Sequence, residues 1–235
     1  MSFDAIRLIT FDCYGTLIDW ETGMLAALRP LFGKTGVSES RLLELYGDAE
    51  AELESGPYLR YRTVLSETVQ AMGRRLGVNV TPADGERFAA SLPSWEPFPD
   101  TVAGLKALAR KFRLGIISNV DDDLFAETRK KLGVEFAVVV TAEQVQSYKP
   151  SLRNFQESLR RSGLSKDQVM HAGQSVYHDI VPASFLGIMN VWVNRPSVRP
   201  GAGAAKPASA QPTYEVHSLK ELVGLMGANG KATAR

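Results

Sequence analysis

The sequence predicts an α/β fold in which a doubly wound parallel sheet carries a helical insertion after its first strand. Two observations predict this fold. Short apolar runs rich in Ile and Val alternate with amphipathic segments, and the stretch from Trp20 to Trp95 interrupts that alternation with helical spacing alone. A chain of 235 residues is long enough for one core domain with a smaller insertion.

Five apolar runs are the predicted strands. Continuous apolar runs of this length are typical of strands that are covered on both faces. The runs are RLITF (7–11), FRLGIIS (112–118), FAVVVT (136–141), QVMHAG (168–173) and IMNVWVN (188–194). Helix patterns lie between them at 100–112, 122–133 and 151–163, and the second has Gly133 as a C-terminal stop. Strands that alternate with helices predict a parallel sheet.

The helical insertion is predicted to form a separate domain of residues 20–96, and residues 1–19 and 97–235 are predicted to form the core. The segment SWEPFPD (94–100) marks the return to the core, because its two prolines make a stiff connection. A Pro, Gly and Ala rich piece (195–213) predicts a mobile surface loop before a last short strand and helix.

Charge and composition limit the partners. The 27 basic and 26 acidic residues nearly balance, so the chain has no overall field for nucleic acid or an anionic membrane, and we expect a small-molecule partner. The N-terminus has no signal-peptide pattern and no apolar stretch is long enough to span a bilayer, so a cytoplasmic location is expected. The single cysteine, Cys13, excludes an internal disulfide.

Polar residues follow four of the predicted strands. In a doubly wound sheet the chemistry lies outside the carboxyl ends of the strands, so these residues are expected to meet in one crevice. They are Asp12 with Thr16, Ser118 with Asn119, Lys149, and Ser175 with Asp179.

Asp12 is the predicted nucleophile of this crevice. It ends a buried strand, and Gly15 lets the following backbone turn, so backbone N–H groups are expected to keep the carboxylate ionised and fixed in direction. Lys149 supplies the compensating positive charge, and Ser118 and Asn119 are short donors for an anionic group.

Several of these residues also have simpler interpretations. Ser118 and Asn119 could only cap the next helix, and Lys149 could be a solvated loop residue. Cys13 lacks the His–Asn or His–Asp partners of a catalytic thiol, so it is expected to be a small buried residue. His178 has no metal-ligand spacing around it and is expected at the surface or behind the reacting groups.

These motifs, in this order, resemble those of the haloacid dehalogenase superfamily over essentially the whole chain. DCYGT (12–16) matches the first motif, ISN (117–119) the second, YKP (148–150) the third and GQSVYHD (173–179) the fourth. The resemblance implies a Rossmann-like core, a helical cap and an ester intermediate on Asp12.

Tyr14 and Gln174 point to one branch of that superfamily. The resembling phosphatases carry Asp at both places, as a general acid and as a magnesium ligand, whereas the (S)-2-haloacid dehalogenase branch carries the same Tyr. A halide needs no proton to leave. The resemblance therefore implies hydrolytic dehalogenation of a small 2-haloalkanoic acid without a metal or other cofactor.

The resemblance also implies roles for individual residues. Asp179 would activate water, Lys149 would balance charge and Thr16 would place Asp12. The substrate would contact the backbone of Cys13 and Tyr14 and the side chains of Ser118, Asn119 and Ser175, with Tyr61 near the halide. An arginine at about the position of Arg41 would bind the halide, although this segment also reads as an exposed helix face and Arg60 and Arg62 compete for the role. Val176 and Phe155 depart from the dehalogenase pattern. Dimers are common in this branch, so a homodimer is an expectation.

Two alternatives stay open from the sequence. A magnesium-dependent small-molecule phosphatase could use Asp12 and Asp179 with a water in place of the missing acid. A binding protein that has lost activity is disfavoured, because Asp12, Lys149 and Asp179 are all present.

Overall fold

The computed structural model describes residues 3–195 and 208–228, and its strands form one parallel sheet. The strands are β1 (Leu8–Phe11), β2 (Arg113–Ser118), β3 (Val138–Thr141), β4 (Val169–Gly173), β5 (Met189–Val193) and β6 (Tyr214–Val216). Their order is β3-β2-β1-β4-β5-β6, with β1 paired to both β2 and β4. The predicted doubly wound α/β fold is therefore confirmed, and the chain winds outward on both sides of β1.

Alternate residues of the strands face opposite sides of the sheet. Leu8 packs with Val169 in one apolar cluster, whereas Ile9 and Phe11 pack with Met170 in another. Because both faces are covered, both sets of side chains must be apolar, which explains the continuous Ile- and Val-rich runs.

Four helices make up the segment that directly follows β1 in the chain. They are α1 (Trp20–Phe32), α2 (Glu39–Glu54), α3 (Tyr61–Leu76) and α4 (Pro82–Ser91), and a 3-10 turn (Leu92–Ser94) follows them. Side chains cap three of these helices, because Asp19, Ser38 and Thr81 accept a backbone N–H from the first turn of α1, α2 and α4. We call residues 20–96 the helical insertion. Its division from the core at 19/20 and 96/97 stays a prediction.

The remaining helices cover the sheet. They are α5 (Thr101–Leu108), α6 (Asp122–Leu132), α7 (Ala142–Val145), α8 (Leu152–Ser162), α9 (Val181–Phe185) and α10 (Leu219–Leu225), and a π-helical turn (Val176–Ile180) leads into α9. Within the described ranges, none of the helices combines the length and the apolar character needed to cross a bilayer. Residues 196–207 of the predicted surface loop lie outside the described residues.

Candidate active site

The turn after β1 holds Asp12 in one orientation. The backbone N–H of Asp12 still pairs with Ala172 O of β4 at 3.0 Å. Gly15 then takes a φ of +95°, a conformation that other residues rarely adopt, and a Cβ there would lie 2.9 Å from the Trp20 indole nitrogen. The turn brings Thr16 back so that its hydroxyl donates to Asp12 Oδ2 at 2.8 Å. One oxygen of the carboxylate is thereby positioned by its own loop.

Lys149 joins Asp12 to Asp179. Its Nζ lies 2.8 Å from Asp12 Oδ1 and 2.6 Å from Asp179 Oδ1, and all three side chains are almost fully buried. Asn119 positions the lysine, since its Oδ1 accepts the Lys149 backbone N–H at 2.7 Å and its Nδ2 donates to the Lys149 carbonyl at 3.2 Å. The peptide bond from Lys149 to Pro150 is cis.

A buried histidine, His171, contacts the carboxylate of Asp179. His171 Nε2 lies 3.1 Å from Asp179 Oδ1, and His171 Nδ1 lies 2.9 Å from Thr10 Oγ1. Because an ionised carboxylate only accepts hydrogen bonds, Nε2 carries the proton of this pair. Asp179 Oδ2 is also buried but has no hydrogen-bond partner among the described residues. That oxygen is therefore available to a water or a ligand.

The pKa values of the two acids shift in opposite directions, because Asp179 pairs with His171 in addition to the Lys149 ammonium that both acids share. Burial raises the pKa of Asp12, as does the neighbouring Asp179, and the opposing effects of Lys149 and Thr16 do not cancel the rise. Burial also acts to raise the pKa of Asp179, but Lys149 and His171 lower it well below its usual range. Burial alone would lower the pKa of Lys149, yet the two carboxylates raise it above its usual value. Asp179 and Lys149 thus stay charged, and Asp12 takes up a proton first.

These groups border a cavity of about 60 Å³ between the sheet edge and the helical insertion. Seven of the predicted site residues line it from the core, namely Asp12, Tyr14, Ser118, Asn119, Lys149, Ser175 and Asp179. Ser118 Oγ is buried and has no hydrogen-bond partner among the described residues. Ser175 Oγ instead accepts the backbone N–H of His178 at 3.1 Å and so caps the π-helical turn. The strand ends meet in one crevice as the sequence predicted.

Tyr14 reaches the cavity, but its hydroxyl lies elsewhere. The Tyr14 hydroxyl pairs with Thr128 Oγ1 of α6 at 2.9 Å, and its ring packs edge-on against Trp95. Burial raises the pKa of Tyr14 well above its usual value, so the phenol holds its proton. Neighbouring Cys13 is fully buried, and burial raises the pKa of its thiol in the same way. The sequence expectation that Cys13 is buried and unreactive agrees with this environment.

Arg41 does not reach the cavity, which corrects the expectation that it contacts the substrate. It lies on the exposed face of α2, where its guanidinium pairs with Glu44 at 3.0 Å. Arg60 and Arg62 do not line the cavity either; both pair with Asp123, and Arg60 also with Glu143. An arginine near the start of α2 points to solvent because the helix buries its opposite face.

The helical insertion contributes four side chains to the cavity lining: Trp20, Glu50, Glu54 and Tyr61. Tyr61 was predicted from the sequence, and its hydroxyl donates to Glu50 Oε1 at 2.8 Å. The two glutamates and Trp20 were missed. Helical spacing contained a signal for Glu50, which lies four residues after buried Tyr46 and seven after buried Leu43 and therefore faces inward. His178 also lines the cavity, in contrast to a position at the surface.

A magnesium ion does not fit these residues. One oxygen of Asp12 and one of Asp179 already bind the Lys149 ammonium, and Gln174 offers an amide where a further carboxylate would be needed. Over residues 3–195 and 208–228, no three His, Cys, Asp or Glu side chains form a group that could hold a metal ion.

Comparisons with known proteins agree with this geometry. A family model described as haloacid dehalogenase-like hydrolase matches residues 6–187. The chain is 26% identical to an (S)-2-haloacid dehalogenase of Pseudomonas putida over 92% of this chain and 95% of that protein. It is also 37% identical to a glyceraldehyde 3-phosphate phosphatase of Methanothermobacter thermautotrophicus, over only 42% of this chain and 45% of the relative.

A solved structure extends the comparison to the fold. The L-2-haloacid dehalogenase from Xanthobacter autotrophicus, solved with chloropropionic acid covalently bound, has a TM-score of 0.81 at 18% identity and covers 96% of this chain and 100% of that one. At this identity the likeness concerns the fold.

Proposed function

The chain belongs to the haloacid dehalogenase-like hydrolases, and we propose that it replaces the halogen of a small 2-haloalkanoic acid by a hydroxyl through an ester on Asp12. The observation that carries the proposal is the buried Asp12–Lys149–Asp179 arrangement beside a small cavity. A carboxylate held in one direction and shielded from water is a good nucleophile toward carbon.

The first step is a displacement at carbon. An oxygen of Asp12 attacks the carbon that bears the halogen, a C–O bond forms, and the halide leaves with the electron pair of the C–X bond. Thr16 and Lys149 hold Asp12 by its two oxygens, at 2.8 Å each, which limits the directions of attack. The buried Ser118 hydroxyl and the backbone amides of Cys13 and Tyr14 are the proposed contacts of the substrate carboxylate. Asn119 Nδ2 is the proposed donor near the halide.

The second step is hydrolysis of the ester. Water attacks the carboxyl carbon of Asp12 and gives a proton to Asp179, the bond between that carbon and the substrate oxygen breaks, and Asp179 passes the proton to this oxygen. The 2-hydroxy acid leaves, and the second proton of the water is released as the carboxylate of Asp12 is restored. Asp179 Oδ2 is the proposed acceptor of the water proton, since it is buried without a partner among the described residues. His171 and Lys149 hold the other oxygen of Asp179 and aim the free one. Two moderate steps replace one difficult step.

The reaction needs no metal or other cofactor, because the leaving halide takes no proton and Lys149 already places a positive charge between the buried acids. The alternative is a magnesium-dependent small-molecule phosphatase. The similarity to a phosphatase over 42% of the chain is the observation in its favour. Two observations disfavour it. The Tyr14 hydroxyl, which replaces the general acid, is bound to Thr128, and the acids do not leave two free oxygens for a cation.

The setting of the enzyme is proposed from the sequence. The substrate is a small anion, the location is cytoplasmic, and the chain forms a homodimer. The helical insertion acts as a cap that closes the cavity over the substrate. The halogen, the chain length and the stereoisomer of the substrate depend on the side chains of that cap.

Halide release tests the proposal. We expect chloride from one enantiomer of 2-chloropropionate in the presence of EDTA, with unchanged rate when magnesium is added. Asp12→Asn removes the nucleophile and should lower the rate at least about a thousandfold, since a covalent nucleophile cannot be replaced by an amide. The measurement is chloride released per enzyme over time.

Asp48→Asn is the matched control, because the same change falls on an exposed residue of the helical insertion and should leave the rate intact. Phosphate release from p-nitrophenyl phosphate with magnesium is measured in parallel. Release of phosphate that requires Asp12, without release of chloride from any haloacid, would replace the proposal by the phosphatase alternative.

A further inference from the structure

The side of the cavity formed by the helical insertion is acidic. Glu50 and Glu54 lie one turn apart on the same face of α2, and both line the cavity opposite the reacting groups. Glu50 is only 8% exposed, although glutamates are rarely buried without a reason. This acidity is unexpected for an enzyme whose substrate carries a negative charge.

The cavity has little positive charge to offset the acids. Lys149 is the one lysine or arginine among the described residues that line it, and two carboxylates already share its ammonium. His178 Nε2 lies 3.9 Å from Glu54 Oε2 and, even when protonated, compensates one glutamate at most. The Glu54 carboxylate would therefore repel a substrate with a net negative charge on this side. Burial raises the pKa of Glu50, and a nearby ammonium group would favour its ionised form.

Both glutamates are held in place by neighbours. Glu50 Oε1 accepts the hydroxyls of Tyr46 and Tyr61, each at 2.8 Å. Glu54 contacts Asn119 Nδ2, which lies 3.4 Å from each of its oxygens. Acceptors that are fixed before binding recognise a cation at a low entropic cost.

The core side of the cavity has an unused donor. Ser118 Oγ is 1% exposed and has no hydrogen-bond partner among the described residues, although it lines the cavity. A buried hydroxyl without a partner costs free energy unless a ligand completes it. The cavity thus offers a donor for an anionic group at the core and acceptors for a cationic group at α2.

We propose that the substrate is a zwitterion: a small 2-halo acid whose carboxylate lies at Ser118 and whose ammonium group, one carbon beyond the reacting carbon, lies against Glu50 and Glu54. This inference rests on the proposed dehalogenation at Asp12 and specifies its substrate class. The halide still leaves with its electron pair, Asp12 supplies the oxygen of the new hydroxyl, and water restores the Asp12 carboxylate. The product is an amino-substituted 2-hydroxy acid. The ammonium group is unchanged in the reaction.

Two isosteric substrates test the proposal. In 3-amino-2-chloropropanoate an ammonium replaces the terminal methyl of 2-chlorobutanoate, so the two differ in charge but hardly in shape. We expect kcat/KM, measured by chloride release against a control without enzyme, to be about tenfold or more higher for the amino compound, equivalent to about 1.4 kcal/mol. Glu54→Gln and Glu50→Gln should each reduce this preference to about threefold or less.

Glu52→Gln is the matched control, because it removes the same charge from the same helix at an exposed position that pairs with Arg75. It should keep the preference of the unaltered protein. Equal rates for the two substrates, or a preference that Glu50→Gln and Glu54→Gln leave unchanged, would overturn the proposal while dehalogenation itself stands.

Binding of unreactive analogues separates this inference from the proposed chemistry. Calorimetry with 3-aminopropanoate and butanoate compares the same ammonium and methyl groups without a halogen. Tighter binding of 3-aminopropanoate, weakened in both pocket variants but not in Glu52→Gln, supports the zwitterion site even if no chloride is released. Equal or tighter binding of butanoate contradicts it.

Discussion

Lys149 is the residue that makes a pair of buried carboxylates tolerable. Two carboxylates at this burial would repel each other, and one would take a proton without a cation between them. The compact ammonium lies within 2.8 Å of both, where one arginine would present a flat fork to a single partner. The arrangement retains one excess negative charge, and Asp12 carries it as the proposed nucleophile.

The raised pKa of Asp12 predicts the acid side of the pH profile. Asp12 attacks only when ionised, so turnover is lost as the pH falls through its pKa. Because burial raises that pKa, the loss should begin at a higher pH than the ordinary aspartate value of about 3.9 allows. Asp179 stays ionised throughout, since its pKa is lowered. The measurement is kcat/KM for chloride release against pH; an acid limb at or below about pH 3.9 would contradict the assignment.

Gly173 predicts a separation of the two chemical steps. A Cβ at this position would lie 2.5 Å from both Cβ and Cγ of Asp179, so Gly173→Ala must displace the proposed water-activating acid. We expect turnover to fall about a hundredfold, because a displacement of about 1 Å has this effect on catalysis. Asp12 remains in place, so rapid-quench kinetics should show a burst of one chloride per enzyme before the slow phase.

Gly56→Ala is the control for this change, since its Cβ would meet only Leu53 O at 3.5 Å, an ordinary contact. It should turn over normally. Absence of a burst in active Gly173→Ala would mean that Asp179 is needed before the ester forms.

Helix α3 begins with a cap that the core provides. Its own N-cap residue, Arg60, makes no side-chain cap hydrogen bond. Asp121, which precedes α6, instead accepts the backbone N–H of Tyr61 and of Arg62, at 2.9 Å each, with its two oxygens. This carboxylate is fully buried. The residue before α6 therefore caps the N-terminus of α3, although the two helices are far apart in the sequence. The contact fixes Tyr61, and through it Glu50, over the cavity.

Removal of this cap should loosen the helical insertion. Asp121→Ala leaves one buried and one partly buried N–H group without acceptors, so we expect the free energy of unfolding to fall by about 2 kcal/mol. KM should rise more than kcat falls, because Tyr61 lies at the substrate cavity and not among the reacting groups. Urea unfolding and steady-state kinetics measure the two effects.

Asp123→Ala provides the comparison for Asp121→Ala. It breaks exposed ion pairs with Arg60 and Arg62 and a hydrogen bond from the Leu124 backbone N–H, but leaves the cap of α3 in place, and should change stability by less than about 1 kcal/mol. Equal effects of the two variants would mean that charge near Arg60, and not the helix cap, holds the insertion.

Distant parts of the chain also contact the loop of residues 12–16, which holds Asp12. Arg195, which follows β5, donates through Nε and Nη2 to the carbonyl of Thr16 at 3.2 and 2.9 Å, while its Nη1 pairs with Asp100 at 2.7 Å. Its guanidinium also lies 4.2 Å from the centre of the Phe98 ring. The last part of the sheet thereby supports the loop that holds Asp12.

This contact predicts a coupled loss of stability and activity. Arg195→Ala leaves the Thr16 carbonyl without its charged donors, so we expect about 2 kcal/mol less stability and a lower kcat at nearly unchanged KM. Arg195→Lys keeps the charge beside Asp100 but not the forked donor. Its stability and kcat should lie between those of the unaltered protein and those of Arg195→Ala. Thermal unfolding and chloride release test both variants. An Arg195→Ala protein with normal kcat would show that Thr16 does not depend on this support.

The sequence was sufficient for the strands and for the residues at their ends. Apolar runs and helical spacing are local properties that can be read along the chain. Because the carboxyl ends of parallel strands share one edge of the sheet, the sequence also predicts which polar residues lie close together, namely Asp12, Ser118, Lys149 and Asp179. The order of the strands confirmed that expectation.

The lining of the cavity by the helical insertion depended on the tertiary structure. Arg41 and Glu50 lie on one helix, and only the packing of α2 turns the arginine to solvent and the glutamate to the cavity. The partners of Tyr14 and Asp121 likewise lie more than fifty positions away along the chain. Local spacing says which residues share a helix face, but the direction of that face is decided by long-range packing, and with it the charge that a substrate meets.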